Sequence, residues 1–346
     1  RLRVEGVFQV VVESLQGDPR MSIAPLPGCR LRPNMGESAT KEGMDPRLRR
    51  LLETAGPERT LSLADVGSMG GPEAEWRELL AEGFARAEGF EPDPREFARL
   101  PKGGAVTYHH CALAERSGAA MTLHIAREPG KTSVYEPNLP LLRRFPRAER
   151  WEIVGTRALE GGFVRTLDET VSGADFLKLD TQGSELDILR GGPVTVSKAL
   201  GLKVEVEFLE LYKGQPLFAD VDRFLRASGF ELVDLRRVFW KRRELGGFFG
   251  KGQLVFGDAL YLRPPESVPP ERAAAYAALC LLYGMRDWAA ALNLPGALGT
   301  ALRAPDAAYA LRVPGRNRLL RWGRALSRFL SRSDQGFSDG DVGLGN

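Results

Sequence analysis

At 346 residues, 43% hydrophobic and 27% charged, the chain can bury a full core and has a globular rather than a disordered or fibrous composition. The formal charge of +3 is unevenly placed: Arg312–Arg332 carries seven arginines and no acid, and subtracting them from +3 leaves −4 elsewhere, which argues against nucleic acid as a partner of the core. No apolar run approaches the ~20 residues of a membrane-spanning helix. Cys29, Cys111 and Cys280 are too scattered for a disulfide framework, and with His109, His110 and His124 they match no metal spacing. A reducing, cytoplasmic setting without a metal is expected.

Residues 1–45 read as an N-terminal extension of mixed apolar and turn character; Val4–Leu15 is a poor signal peptide, because it carries Glu5 and Glu13 and lacks a small-residue cleavage site. Pro46–Glu53 reads as a short basic helix. Leu61–Val66 is a strand and Gly67–Gly71 a turn; Pro72 suits the first position of a helix with acids Glu73 and Glu75 in its first turn. Phe84–Phe90 is a second strand that ends at Glu91-Pro92-Asp93-Pro94, followed by a short helix over Arg95–Leu100. Ala105–His110 is a third strand, leading into Cys111-Ala112-Leu113. Met121–Ala126 alternates like an exposed edge strand. Glu128–Pro146 is long enough to be a lid or binding loop, with Thr132–Asn138 and Tyr135 in its middle. Trp151–Thr156 reads as a strand and Thr166–Val171 as a helical turn.

Phe176–Leu179 is a short buried strand, stopped by Asp180-Thr181-Gln182-Gly183; a helix then opens at Ser184-Glu185-Leu186 and closes at Gly191-Gly192-Pro193. Leu202–Glu207 is a fifth core strand, and Val221–Ser228 a helix capped by Gly229. Phe230–Leu235, running on toward Trp240, and Gly252–Leu262 are expected to pair antiparallel. This alternation predicts a doubly wound, mostly parallel α/β sheet over 46–263. Residues 264–333 form a helical extension. In it Arg318–Leu330 is a basic amphipathic helix, read as packed on the domain with a solvated arginine face or as touching a membrane surface or anionic partner. Residues 334–346 read as a disordered tail.

Two stretches carry the chemistry. Asp65-Val66-Gly67-Ser68-Met69-Gly70-Gly71 is a small-residue turn that lets backbone approach a ligand; Met69 stands where a dinucleotide-binding turn needs its second glycine. Glu91, at the end of the second strand, can accept hydrogen bonds from both hydroxyls of a ribose. Asp180 ends the fourth core strand, and ligands of open α/β sheets sit at that edge. Asp180 is either a proton acceptor or a cap of the following turn, and Lys178 has a role in the chemistry or only a bridge to a helix. Glu207 and His110 are further acids or bases near the same edge, whereas Glu185 suits the helix start.

Lys178, Asp180, Gly183 and Glu185 lie on the Lys-x-Asp-x-x-Gly-x-Glu pattern of FkbM-type S-adenosylmethionine-dependent methyltransferases, and the stretch closely resembles that signature. Asp65, Gly67 and Gly71 fit the family's Asp-x-Gly-Ala-Asn-x-Gly turn, from which Ser68 and Met69 depart, and Phe90–Pro94 is close to its Phe-Glu-Pro-x-Pro. Arg165–Glu169 is similar to its Thr-Leu-Asp segment. The resemblance covers roughly 61–262. It implies a class I, Rossmann-like fold with a seven-stranded sheet, and S-adenosylmethionine held by Asp65, Gly67, Ser68, Gly71, Glu91, Pro92, Ala112 and Leu113. It also implies methylation of a hydroxyl on a sugar, glycolipid or secondary metabolite, for which Asp180, Glu207 and Lys178 are the candidates. The alternatives are a nicotinamide-dependent oxidoreductase, disfavoured by Met69, and a non-catalytic binding adaptor. The oligomeric state is left open.

Overall fold

A computed structural model describes residues 44–55, 60–244 and 251–303. Expectations for the N-terminal extension before residue 44, the basic helix Arg318–Leu330 and the tail lie outside the described residues.

The strands are Leu61–Val66 (β1), Ala85–Phe90 (β2), Val106–His109 (β3), Ala112–Leu113 (β4), Gly118–Ala126 (β5), Ile153–Gly161 (β6), Val164–Arg165 (β7), Phe176–Leu179 (β8), Gly201–Glu207 (β9), Glu231–Trp240 (β10) and Gln253–Leu262 (β11). Seven of them make one sheet in the order β10-β11-β9-β8-β1-β2-β3. Pairs β1/β2, β2/β3, β1/β8 and β8/β9 are parallel, and β11 runs antiparallel to both neighbours. The doubly wound, mostly parallel Rossmann-like sheet expected from the sequence is therefore the fold. The chain winds outward from β1 to one edge, then returns to build the other half from β8. Between β1 and β8 the winding reverses, which opens a crevice at the strands' C-terminal ends.

Side-chain alternation sorts each strand onto two faces. Ala64, Val66, Leu177, Leu179, Leu202, Val204 and Val206 pack under Leu186, Ile188, Leu189, Val196, Val221 and Leu225 of the helices Glu185–Arg190, Pro193–Lys198 and Phe218–Ala227. The opposite face, with Leu61, Leu63, Phe176, Leu260 and Leu262, is covered by Leu48, Leu51 and Leu52 of the helix Pro46–Ala55, by Trp76 and Leu79, and by Tyr276, Ala277 and Cys280 of the helix Ala273–Leu282. Each buried leucine contributes about 1.5–3 kcal/mol.

The structure differs from expectation at four places. The helix after the glycine turn starts at Ala74, not Pro72, because the Glu73 carboxylate is drawn to Lys203 Nζ, 2.7 Å away on β9. β5 is not an exposed edge of the main sheet: it pairs antiparallel with β6 in a two-stranded sheet of its own, closed by the buried Leu123 and Leu159. Trp151 precedes β6 and ends a 3₁₀ turn. The helical extension expected from residue 264 is not continuous: it opens with two helices, Ala273–Leu282 and Arg286–Ala291, because Gly284 (φ +74°) turns the chain between them.

Candidate active site

The crevice is walled by the tips of β1, β2 and β8 and by the loop that follows β5. Gly67, Met69, Glu91, Pro92, Ala112, Leu113, Lys178 and Asp180 line it, and Thr132, Ser133 and Val134 close one side. Gly67 is forced to be glycine. Its φ is +77°, and a β-carbon there would lie 1.9 Å from the Asp180 carbonyl oxygen. The turn is stitched to both neighbouring strands: Gly67 N and Ser68 N donate to Phe90 O (3.0 and 3.1 Å), Phe90 N donates to Ser68 Oγ (2.9 Å), and Asp180 N donates to Val66 O (3.0 Å).

Lys178 Nζ binds this junction from below. It donates to Gly67 O at 2.8 Å and lies 3.3 Å from Asp65 Oδ1 and 3.9 Å from Asp180 Oδ2. Burial pulls the Lys178 ammonium down, but the Asp65, Asp180 and Glu73 carboxylates outweigh it and hold the proton on. Asp65 is 2% exposed, and burial raises its carboxyl against the pull of Lys178. Burial also acts to raise Asp180, yet Lys178 and the Gln182 amide bring it below its ordinary value.

Glu91 follows the tip of β2 and is 6% exposed; its Oε1 accepts from Asp93 N at 2.8 Å. Burial, with the Asp93 and Glu96 carboxylates, pushes it up to about 7 although the Asp93 amide opposes this. Asp93 caps the short helix Pro94–Phe97 and pairs with Arg95, whose Nη2 reaches Thr132 Oγ1 at 3.2 Å, so the turn after β2 is fixed to the loop after β5. That loop is also tied down by Tyr135 Oη, which donates to Asp187 Oδ2 at 2.6 Å.

Of the sequence candidates, the cleft brings together Gly67, Glu91, Pro92, Ala112, Leu113, Lys178 and Asp180. Asp65 and Ser68 lie buried beneath its floor, and Gly71 turns toward Tyr108 Oη. Glu207 is 3% exposed and His110 is stacked on Phe97 at 4.5 Å; neither lines the cleft. Glu185 folds back on the turn, accepting from Thr181 N (2.6 Å) and Gly183 N (3.0 Å), in keeping with a helix-start role. Sequence reasoning missed the reach of Met69, whose Cε would stand 3.1 Å from a β-carbon on Gly130. It also missed Gln182, a non-glycine residue at φ +58°. Among the described residues no three His, Cys, Asp or Glu side chains converge as metal ligands.

Residues 81–232 match the family model of the methyltransferase FkbM domain. This segment is similar to the FkbM-type methyltransferase domain. The match favours the methyltransferase reading over the oxidoreductase one. The 2-O-methyltransferase NoeI of Sinorhizobium fredii (strain NBRC 101917 / NGR234) is 28% identical over 181 residues, 49% of this chain and 72% of that protein. Among solved structures, a SAM-dependent methyltransferase of Anabaena variabilis ATCC 29413 aligns with a TM-score of 0.29 at 10% identity, covering 62% of this chain and 80% of its own. M. jannaschii TYW2, in complex with AdoMet, aligns with a TM-score of 0.26 at 10% identity over 64% and 79%. The fold rests on this chain's own sheet order, in which β1 and β11 lie outside the matched segment. Among the described residues no helix is long and apolar enough to cross a membrane.

Proposed function

We propose that this chain uses S-adenosylmethionine to methylate a hydroxyl group of a sugar, glycolipid or secondary metabolite. One observation carries the reading: Glu91 at the tip of β2 and Asp180 at the tip of β8 line the same crevice, with the glycine cradle at Gly67 between them. The residues present fit the cofactor. Gly67 keeps the floor open for close backbone approach, and Glu91 is a buried acceptor suited to ribose hydroxyls. Phe90, Ala112, Leu113 and Ile188 offer apolar wall to a base. Asp65, Ser68 and Gly71 then serve the turn from beneath, and Pro92 shapes the rim. The hydroxyl as acceptor is supported by the similarity to NoeI, a 2-O-methyltransferase.

When bound, S-adenosylmethionine supplies an electrophilic methyl group on a sulfonium. The chain's task is to hold the acceptor oxygen in line with that group and to keep water out, which supplies most of the acceleration. Thr132, Ser133 and Val134 wall off the cleft from solvent on one side. Asp180 takes the hydroxyl's proton as the new bond forms. Lys178 keeps Asp180 ionised and clamps the β1 and β8 tips together. Glu207, buried and away from the cleft, supports the architecture instead. Calorimetric titration with S-adenosylmethionine, followed by labelled-methyl transfer to a panel of hydroxylated glycans and lipids, tests the proposal. Binding plus label on an oxygen is the expected result; absence of binding refutes it.

A further inference from the structure

Leu179 pairs with Val204 in the parallel register of β8 and β9, so the next rung sets Asp180 beside Glu205. Both carboxylates accept from one donor, Gln182 Nε2: Asp180 Oδ1 at 3.0 Å and Glu205 Oε2 at 2.6 Å. Gln182 is locked in this bridging pose. Its backbone is left-handed, its carbonyl oxygen accepts from Ser133 Oγ at 2.7 Å, and its side-chain Oε1 accepts from Tyr212 Oη at 3.0 Å. One neutral amide cannot cancel two charges, and neighbouring carboxylates resist ionising together. The asymmetry comes from Lys178, which stands 3.9 Å from Asp180 Oδ2. Asp180 lines the cleft and Glu205 does not.

We propose that Glu205 is a positioning residue for Asp180: it carries the one proton the two side chains share, and so leaves Asp180 an ionised, tethered acceptor for the substrate hydroxyl. The proposal rests on the hydroxyl-methylation reading. During transfer the acceptor oxygen gains the methyl carbon and gives its proton to Asp180. The electron pair of the breaking C–S bond stays on sulfur, Asp180 passes the proton to water, and Glu205 keeps its own. Several groups face Glu205. They are Asp180 at the tip of β8, Glu207 on its own strand, Asp258 on the paired rung of β11, Glu185 at the helix start, Tyr212, and the cation Lys131. Burial and the acids Asp180 and Glu207 push Glu205 well above its ordinary range, and Lys131 opposes them.

The full chain is examined in two ways. First, thermal unfolding without ligand is followed from acid to alkaline pH for wild type, Glu205→Gln and Glu205→Ala. An acid held protonated by the fold contributes stability below its unfolded value and loses it as pH rises through its folded value. E205Q cannot ionise, so its Tm falls less at alkaline pH than that of wild type; an unchanged fall overturns the proposal. Second, turnover is measured with labelled S-adenosylmethionine and the glycan panel. E205A lowers kcat by about tenfold or more while KM for S-adenosylmethionine stays put. E205Q, whose amide replaces the protonated acid, restores most of the loss; an E205Q as slow as E205A overturns the proposal. If wild type neither binds nor transfers, the methyltransferase reading fails by itself, and the Tm comparison still decides the one-proton pair.

Discussion

Glu91→Gln has two effects of opposite sign, which makes it a demanding test of the cleft. In the folded protein the Glu91 carboxyl is raised from 4.5 to about 7, first by burial and then by Asp93 and Glu96. At 1.36 kcal/mol per pH unit, ionised Glu91 costs the folded state about 3 kcal/mol relative to the unfolded chain. A raised acid contributes its stability below the unfolded value, near 4.5, and loses it as pH rises through about 7. Glutamine carries no such penalty and keeps a carbonyl oxygen for Asp93 N, which now donates to Glu91 Oε1 at 2.8 Å. Urea unfolding should therefore find E91Q more stable than wild type by up to about 3 kcal/mol at about pH 8.5, and the gain should vanish by about pH 4.5. Binding moves the other way. Hydrogen bonds to a charged acceptor are worth about 1.5–3 kcal/mol, so calorimetry should show S-adenosylmethionine bound roughly 10- to 100-fold more weakly by E91Q. Wild-type affinity should rise with pH through about 7, as the carboxylate forms. A stability difference that ignores pH refutes the burial argument, and unweakened binding refutes the ribose role.

Three further substitutions separate the scaffold from the chemistry. Gly67→Ala places a β-carbon 1.9 Å from Asp180 O at φ +77°, and should lose at least about 3 kcal/mol in urea unfolding; a loss under about 1 kcal/mol would contradict the contact. Lys178→Met leaves the buried Asp65 without its cation and should destabilise by about 3–5 kcal/mol at neutral pH. That deficit should shrink as acid protonates Asp65, whereas a deficit constant with pH would mean the lysine acts by packing. Asp180→Asn should cut turnover about 10²- to 10⁴-fold with S-adenosylmethionine affinity retained; wild-type turnover would end the proton-acceptor role.

Which parts were legible in the sequence follows from how local their causes are. β1 and β8 are mostly apolar runs ended by turn residues, and β2 and β9 alternate polar with apolar positions, so each reads directly from its own segment, and Asp180 and Glu91 are recognisable as strand-tip acids. Partnerships are not local. β5 and β6 start 35 residues apart, and nothing in either segment names the other. The true start of the helix at Ala74 depends on Lys203, 130 residues beyond Glu73. The acid beside Asp180 depends on register: β8 ends opposite Val204, so β9 overshoots it and Glu207 lies beyond the rung that Asp180 and Glu205 share. Gln182 reads as an ordinary turn residue until both carboxylates are seen on its amide.

That register explains how one sheet face can serve both stability and chemistry. Residues of one parity, Leu61 and Leu63 on β1, Phe176 on β8, and Leu260 and Leu262 on β11, are apolar where the helices cover them. The same parity continues toward the strand tips as charge. Asp65, Lys178 and Lys203 share one rung across β1, β8 and β9. Asp180, Glu205 and Asp258 follow on the next, across the β8 tip, β9 and β11. Three acids side by side would repel strongly if all were ionised. The rung beneath them carries two lysines, and Lys178 reaches Asp65 and Asp180 while Lys203 takes Glu73. Lys178 stabilises ionised Asp180 without entering the acid rung. A proton on Glu205 then removes one of the three adjacent charges, so the ionised carboxylate remains where the cleft opens.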